Sequence, residues 1–148
     1  HPFQWGSKRT GPDLARVGVR YSDEWHRAHL ADPRSVVPES VMPPYAFLAR
    51  ADLNAGLMRD HLRANRMLRV PYSDEQLANA AIDARAQAEP LGSNAYDFEQ
   101  RYPGAAARDF DGDPARVTEM DALIAYLQML GAGVDFDTYQ ADAPENTR

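Results

Sequence analysis

The sequence predicts a small, mostly α-helical domain with long irregular loops. Near its C-terminus is an apolar stripe at helical spacing, formed by Met120, Leu123, Ile124, Leu127 and Leu130. No segment alternates apolar and polar residues in the way that predicts a β-strand. Eleven prolines and nine glycines separate the helical segments from one another. At 148 residues the chain is long enough for one domain with its own core.

The N-terminal segment, residues 1–21, is rich in glycine, proline and basic residues and predicts an irregular loop. Gly11-Pro12-Asp13 is a turn signal, and Leu14 and Val17 are the expected anchors of the loop in the core. A short helix should follow, because Ser22 stands at an N-cap position and two acidic residues occupy the next two positions. Pro33 is expected to close this helix.

The segment from Val36 to Tyr45 contains three prolines, which fix φ and cannot donate backbone hydrogen bonds. It therefore predicts a rigid loop, with Met42 directly before two of the prolines. Methionine usually fills gaps in a core, because its side chain is long and flexible. Met42 is thus either a hydrophobic plug beneath the loop or a thioether ligand for a soft metal such as haem iron. The loop alone leaves both roles open.

Two helices are predicted between Ala46 and Ala88. The pattern is helical from Ala46 to Leu68, and Pro71 ends that segment. A capping box at residues 73–76 opens the second helix, which should run to about Ala88. The residues expected to face inward are Leu53, Leu57, Met58, His61, Leu62 and Leu68 in the first helix, and Leu77, Ala81 and Ile82 in the second.

Residues 89–117 carry many proline, glycine, asparagine and aspartate residues and predict a long, acidic, inserted loop with one helical turn around 96–102. The last helix should begin after Thr118 as N-cap and end before Gly131 at the C′ position. The tail from Asp135 is acidic and expected to be extended. The predicted organisation is one domain over residues 1–134 and a tail over residues 135–148.

The composition argues against several classes of protein. The net charge of −6 argues against nucleic-acid binding, which needs clustered positive charge. The chain has no cysteine, so it cannot itself form a disulfide, a zinc–thiolate site or a covalent haem attachment. No apolar run reaches the roughly 18 residues of a membrane span. Residues 1–72 carry 11 Lys/Arg against 7 Asp/Glu, and residues 73–148 carry 5 against 15. This asymmetry either steers a charged partner or is simply a solvated surface.

Two histidines, His26 and His29, are spaced so that they could share a metal only at the edge of a helix. No third ligand stands at a supportive spacing, and the simpler interpretation is one histidine packed beside Trp25 and one solvated. No Ser/His/Asp triad, glycine-rich phosphate loop or pair of buried carboxylates can be argued from spacing. Hydrolase chemistry and nucleotide binding therefore have no support.

The acidic run from Asp109 to Asp113 resembles the start of an EF-hand calcium loop. The positions that require glycine and a bidentate glutamate are, however, occupied by Pro114 and Met120. The EF-hand register therefore fails. An irregular calcium site and an acidic turn both remain open.

A turn at Gly11-Pro12-Asp13-Leu14, a short helix bearing Trp25, a proline-flanked Met42 and a C-terminal amphipathic helix follow in that order. In this arrangement the sequence resembles class I cytochrome c domains. It looks most like the mono-haem subunit II of cbb3-type haem–copper oxidases. The stretches that carry the match are residues 1–18, 20–30, Pro33, Arg34, residues 36–40, Met42, Pro43, Tyr45, residues 70–72 and residues 118–131.

The resemblance implies a cytochrome c-like fold that binds haem c. Met42 would be the axial sulfur ligand, and the carbonyl of Pro12 would accept a hydrogen bond from the axial histidine. Arg20 and Tyr21 would bind the haem propionates. The final helix would pack across the helix that precedes the haem attachment site. The apolar walls of the pocket would be Leu14, Trp25, Leu30 and Val37.

The sequence departs from the family pattern at two places. The family carries a Cys-x-x-Cys-His motif and a transmembrane helix upstream of the position that matches His1. We therefore expect the attachment cysteines, the axial histidine and a membrane anchor to precede His1 in a longer protein. Val19 stands where the family usually has a second glycine, so the backbone there is either ordinary or strained.

The resemblance implies a non-catalytic subunit that relays single electrons through a His/Met-ligated haem c during aerobic or microaerobic respiration. Its expected partners are the catalytic subunit and another c-type cytochrome subunit of the oxidase. Its expected location is the periplasmic face of the bacterial inner membrane. The alternative is a haem-less periplasmic interaction module with the same fold. A third hypothesis is a calcium-regulated binding domain built on residues 109–121.

Overall fold

The computed structural model describes residues 11–132, and this part of the chain forms six α-helices and two 3-10 helices without a β-strand. The predicted mostly α-helical class with long loops is therefore confirmed. The predictions for residues 1–10 and for the acidic tail lie outside the described residues. The α-helices are α1 (Asp23–Ala31), α2 (Pro33–Val36), α3 (Met58–Met67), α4 (Asp74–Ala88), α5 (Ala95–Arg101) and α6 (Glu119–Met129), and the 3-10 helices span Ala46–Arg50 and Ala55–Leu57.

The core is centred on α6, which supplies half of its buried apolar side chains. Met120 and Ile124 are completely buried, as the helical stripe predicts. They pack with residues from the N-terminal loop, α1 and the segment before α6 because each of these elements brings one large apolar side chain inward. The buried core residues are Val17, Leu30, Phe110, Met120, Ile124 and Leu127.

The three predicted N-caps are confirmed. The Ser22 hydroxyl accepts a hydrogen bond from the Trp25 N–H at 3.1 Å, and full capping boxes form at Ser73 and Thr118. These motifs satisfy backbone N–H groups that have no partner inside the helix. α1 ends at Ala31, before Pro33. Pro33 then begins α2, where a proline at the first position is favourable.

The N-terminal loop is fastened to the C-terminal end of α6. Gly18 donates its N–H to the Leu130 carbonyl at 2.9 Å, and a Cβ atom at Gly18 would lie 2.3 Å from the Gln128 carbonyl oxygen. The side chain of Gln128 accepts from the Val19 N–H at 2.8 Å and donates to the Tyr21 carbonyl at 2.9 Å. Gly131 follows at the C′ position with φ +81°, as predicted. The loop thus has a fixed register against α6.

The prediction of one helix from Ala46 to Leu68 is wrong. Residues 52–54 are extended between the two 3-10 helices, and α3 begins only at Met58. The cause is a contact distant in sequence, because the Leu53 N–H donates to the Val117 carbonyl at 2.9 Å. The Glu119 N–H in turn donates to the Ala51 carbonyl at 2.9 Å. These bonds hold the segment against the start of α6.

The predicted bounds of α4 are confirmed, but its predicted inward face is wrong. Ile82 is 46% exposed, whereas Asp83 is buried together with Ala80 and Ala86. The helix turns this face inward because Asp83 receives a two-pronged hydrogen bond from Arg101. Arg101 belongs to α5, a two-turn helix inside the segment predicted to be a long loop, where one helical turn was expected.

The acidic run before α6 forms part of that helix's N-terminal capping structure. One Asp121 oxygen accepts from the N–H groups of Phe110 and Asp111 at 3.2 and 3.0 Å, and the other accepts from the Thr118 N–H at 2.9 Å. The Thr118 hydroxyl donates to Asp111 at 2.6 Å. Burial raises the pKa of the Asp121 carboxyl above its usual value. The carboxylates of Asp111 and Asp121 therefore lie close together because they accept hydrogen bonds from backbone N–H groups and from the Thr118 hydroxyl.

Val19 adopts the strained alternative, with φ 60° in the left-handed region. We expect Val19→Gly to raise the free energy of unfolding by about 1 kcal/mol. The side chain is 81% exposed, so little packing is lost when the strain is removed. Urea denaturation measures the change. Val19→Ala is the control, because it keeps a Cβ atom and should gain much less. A lower stability for Val19→Gly would contradict the strain.

Candidate functional site

Met42 lies in an extended segment between α2 and the first 3-10 helix, and its side chain is half-buried against the core cluster. The segment is held in place from both sides. The Met42 N–H donates to the Ser40 hydroxyl at 3.2 Å, and the Ser40 carbonyl accepts from Arg34 at 3.2 Å. The Tyr45 N–H donates to the Leu30 carbonyl of α1 at 2.7 Å. The thioether is therefore positioned by a rigid loop.

Three aromatic rings stack along α1. The rings of Tyr21 and Trp25 are 4.1 Å apart and inclined by 16°, and those of Trp25 and His29 are 4.7 Å apart and inclined by 10°. His26 meets the Trp25 ring edge-on at 5.4 Å. Trp25 and His29 are four residues apart on α1 and therefore lie one above the other, and Tyr21, two residues before the helix, continues the stack. The prediction that one histidine packs beside Trp25 is confirmed, but the prediction that the other is solvated is wrong, because both rings contact Trp25.

Two histidine nitrogens beside this stack are buried without a hydrogen-bond partner among residues 11–132. They are Nε2 of His26 and Nδ1 of His29. Burial lowers the pKa of both imidazoles below the usual value, so both rings are neutral at pH 7. A buried polar atom without a partner costs about 1–3 kcal/mol. This side of α1 is therefore suited to a polar group that is not supplied by the described residues.

The other residues expected at the site fall into two groups. Tyr21 and Leu30 join Met42 at the core cluster, and the Arg20 guanidinium lies 5.5 Å from the centre of the Tyr21 ring. By contrast, four expected residues are exposed: Pro12, Leu14, Arg20 and Val37. Leu14 is 51% exposed, so the expectation that it anchors the N-terminal loop in the core is wrong. Exposed apolar side chains such as those of Leu14 and Val37 are what an apolar ligand would cover.

The residue types at these positions suit a haem. Met42 offers a soft sulfur ligand, and the apolar side chains of Leu14, Leu30 and Val37 can line a flat hydrophobic ring. The unpartnered nitrogens of His26 and His29 suit the polar edge of such a group. The chain contains no cysteine, so none of its own residues can form the thioether bonds of haem c.

Sequence reasoning missed the burial of His26. The signal was present, because His26 lies four residues before Leu30 and therefore on the same face of α1. The sequence did not say which of the two histidines packs beside Trp25, and the stacking of His29 on Trp25 follows from the same four-residue spacing. Neither histidine joins a group of three metal-ligating side chains in the described part of the chain.

The mostly α-helical structure of residues 11–132 is consistent with a small cytochrome c-like domain. The chain belongs to the family described as cytochrome c oxidase, mono-haem subunit/FixO, whose model matches residues 1–134. This confirms the resemblance to the mono-haem oxidase subunit. No curated protein matches the chain.

The family belongs to a membrane-bound oxidase complex. Among residues 11–132 no helix is long and apolar enough to cross a bilayer.

Proposed function

We propose that this chain is part of an electron-relay subunit of a cbb3-type oxidase. In this proposal, single electrons pass from another c-type cytochrome subunit through a His/Met-ligated haem c to the catalytic subunit. The observation that carries the proposal is Met42, whose thioether lies in a proline-rich loop and packs against the core cluster. Membership of the mono-haem subunit family supports it.

Haem c, when bound, supplies the one-electron chemistry. The chain's residues would bind it and set its environment. Met42 would coordinate the iron, and a thioether ligand raises the reduction potential. The Pro12 carbonyl would fix the tautomer of the axial histidine. Arg20 and Tyr21 would hold the propionates.

The apolar walls would exclude water from the ring. Leu14, Trp25, Leu30 and Val37 would contribute the apolar surface, and low solvent access also raises the potential. No residue of the chain is proposed to carry out substrate chemistry. The rigid loop around Met42 would keep its sulfur in place in both oxidation states.

The attachment cysteines, the axial histidine and a membrane anchor would precede His1 in the complete protein. A groove of about 690 Å³ borders the outer face of α6 and is lined there by Ala122, Ala125, Tyr126 and Met129. An upstream helix that carries the attachment motif would pack against this face. The complete subunit would then face the periplasm from the bacterial inner membrane.

The experiment is intact-mass and peptide mass spectrometry of the protein purified from its native membranes. We expect covalently bound haem on a peptide upstream of His1, in the same polypeptide as this sequence. A polypeptide mass without haem would contradict the proposal and favour a haem-less interaction module. The absence of cysteine favours that alternative. So does Val19, where the family usually has glycine, whereas Pro12 and Met42, both present with their family surroundings, oppose it.

A further inference from the structure

The C-terminal end of α3 presents an exposed basic and apolar surface, which we call the α3 tip (Arg63, Arg66, Met67, Leu68 and Arg69). Met67 and Leu68 are 80% and 78% exposed. None of the ten residues of α3, all within the described chain, is buried. Two adjacent apolar side chains at a convex helix end therefore project into solvent.

Positive charge surrounds these two apolar side chains. Arg63 lies one turn before Met67 on the same helix face. Arg66 forms an ion pair with Asp74 at 2.5 Å, whereas Arg63 and Arg69 form no ion pair with any residue in 11–132. The one acidic residue of α3, Asp60, lies about two turns before Met67 and three residues before Arg63.

The backbone holds Arg69 in a conformation that usually needs glycine. Arg69 has φ 71°. Its N–H donates to the Arg66 carbonyl at 3.0 Å, and the Val70 N–H donates to the Asn65 carbonyl at 3.1 Å. This is a Schellman motif, in which glycine is the common residue at the position of Arg69. An arginine is strained there, but it adds a guanidinium beside the exposed apolar side chains.

We propose that the α3 tip binds the surface of an anionic phospholipid bilayer. Met67 and Leu68 would enter the boundary between headgroups and acyl chains, and Arg63 and Arg69 would bind lipid phosphates. A protein partner would need a complementary pocket and about 800 Å² of surface. A bilayer accepts a small convex tip without one. This inference is independent of haem binding.

The first experiment is cosedimentation of the 148-residue chain with vesicles at about 0.1 M salt, where the Debye length is ~10 Å. The net charge of −6 opposes general attraction to anionic vesicles, so binding must come from a local surface. We expect binding to phosphatidylglycerol vesicles and little to phosphatidylcholine vesicles. Arg63→Gln/Arg69→Gln should weaken it roughly 30-fold. Met67→Ser/Leu68→Ser should weaken it roughly tenfold or more.

The matched control variants remove two arginines, or one exposed apolar side chain, at positions outside the α3 tip. Arg27→Gln/Arg85→Gln changes two exposed arginines on other helices, and Leu91→Ser removes a fully exposed leucine. Both should change binding by less than about twofold, because distant charges are screened. Absence of binding to anionic vesicles would overturn the proposal, as would equal losses in the controls and in the tip variants.

A second measurement locates the inserted residue. Because the chain has no cysteine, Leu68→Cys and Leu91→Cys each give one site for an environment-sensitive fluorophore. We expect a blue shift on adding anionic vesicles for the probe at residue 68 and none at residue 91. Equal responses at both sites would overturn the proposal. The proposal would also be overturned if the chain bound soluble polyglutamate as tightly as vesicles and if Met67→Ser/Leu68→Ser had no effect on binding. That result would indicate an acidic protein partner instead.

Discussion

Replacing Met42 with alanine in the haem-loaded protein is expected to abolish the charge-transfer band of the methionine–iron bond. The reduction potential should fall by roughly 0.1–0.3 V, a part of the ~0.8 V range over which axial ligands set haem potentials. A thioether ligand favours the reduced iron, and in the variant water or a nitrogen ligand takes its place. Absorption spectroscopy of the oxidised protein and a spectroelectrochemical titration measure the two effects.

The matched control is Met67→Ala, because Met67 is 80% exposed at the end of α3 and lies outside both the Met42 loop and the α6 face proposed to receive the upstream helix. It should leave both the band and the potential unchanged. Met42→His should give a low-spin spectrum without the band and also a lower potential. A Met42→Ala protein that retains the band would show that another residue supplies the sulfur. In that case Met42 would have the role of a hydrophobic plug.

Replacing Arg101 with alanine is expected to lower the free energy of unfolding by about 3–5 kcal/mol. The side chain of Asp83 is only 3% exposed, and Arg101 approaches it to 2.6 Å. Without the guanidinium, a buried carboxylate is left without its cation, and its desolvation is no longer compensated. The bond to Asp83 raises the pKa of Arg101, which therefore stays charged at every pH of interest. Urea denaturation followed by circular dichroism measures the loss.

Arg85→Ala is the control, because Arg85 is exposed on the same helix as Asp83. Its effect should stay within about 0.5 kcal/mol. Asp83→Leu/Arg101→Met removes both charges and should recover most of the stability lost in Arg101→Ala. A loss below about 1 kcal/mol for Arg101→Ala would mean that water replaces the guanidinium and that Asp83 is less enclosed than its burial indicates.

The elements that sequence reasoning predicted correctly are those fixed by short-range physics. Ser22, Ser73 and Thr118 cap helices through bonds to N–H groups two or three residues away, so a few adjacent letters suffice. The stripe of α6 is predictable for the same reason, because one amphipathic helix contains its full period. The break at residues 52–54 depends on the distant Val117 carbonyl, and no local pattern encodes it.

The same division applies to the candidate site. The prolines around Met42 are visible in the sequence, and they predicted a rigid loop with a presented methionine. The unpartnered nitrogens of His26 and His29 could not be predicted, because their burial depends on how α1 packs against the rest of the core. Ile82 is a comparable case, since the partner that turns α4 is Arg101 of a different helix.

The bonds between the N-terminal loop and the end of α6 join residues 107 to 112 positions apart in the chain. Met42 packs against a core to which α6 contributes half of the buried side chains. The surroundings of Met42 therefore cannot form completely until α6 has been synthesised. Met42, the candidate metal ligand, is thus synthesised well before the helix that completes its surroundings.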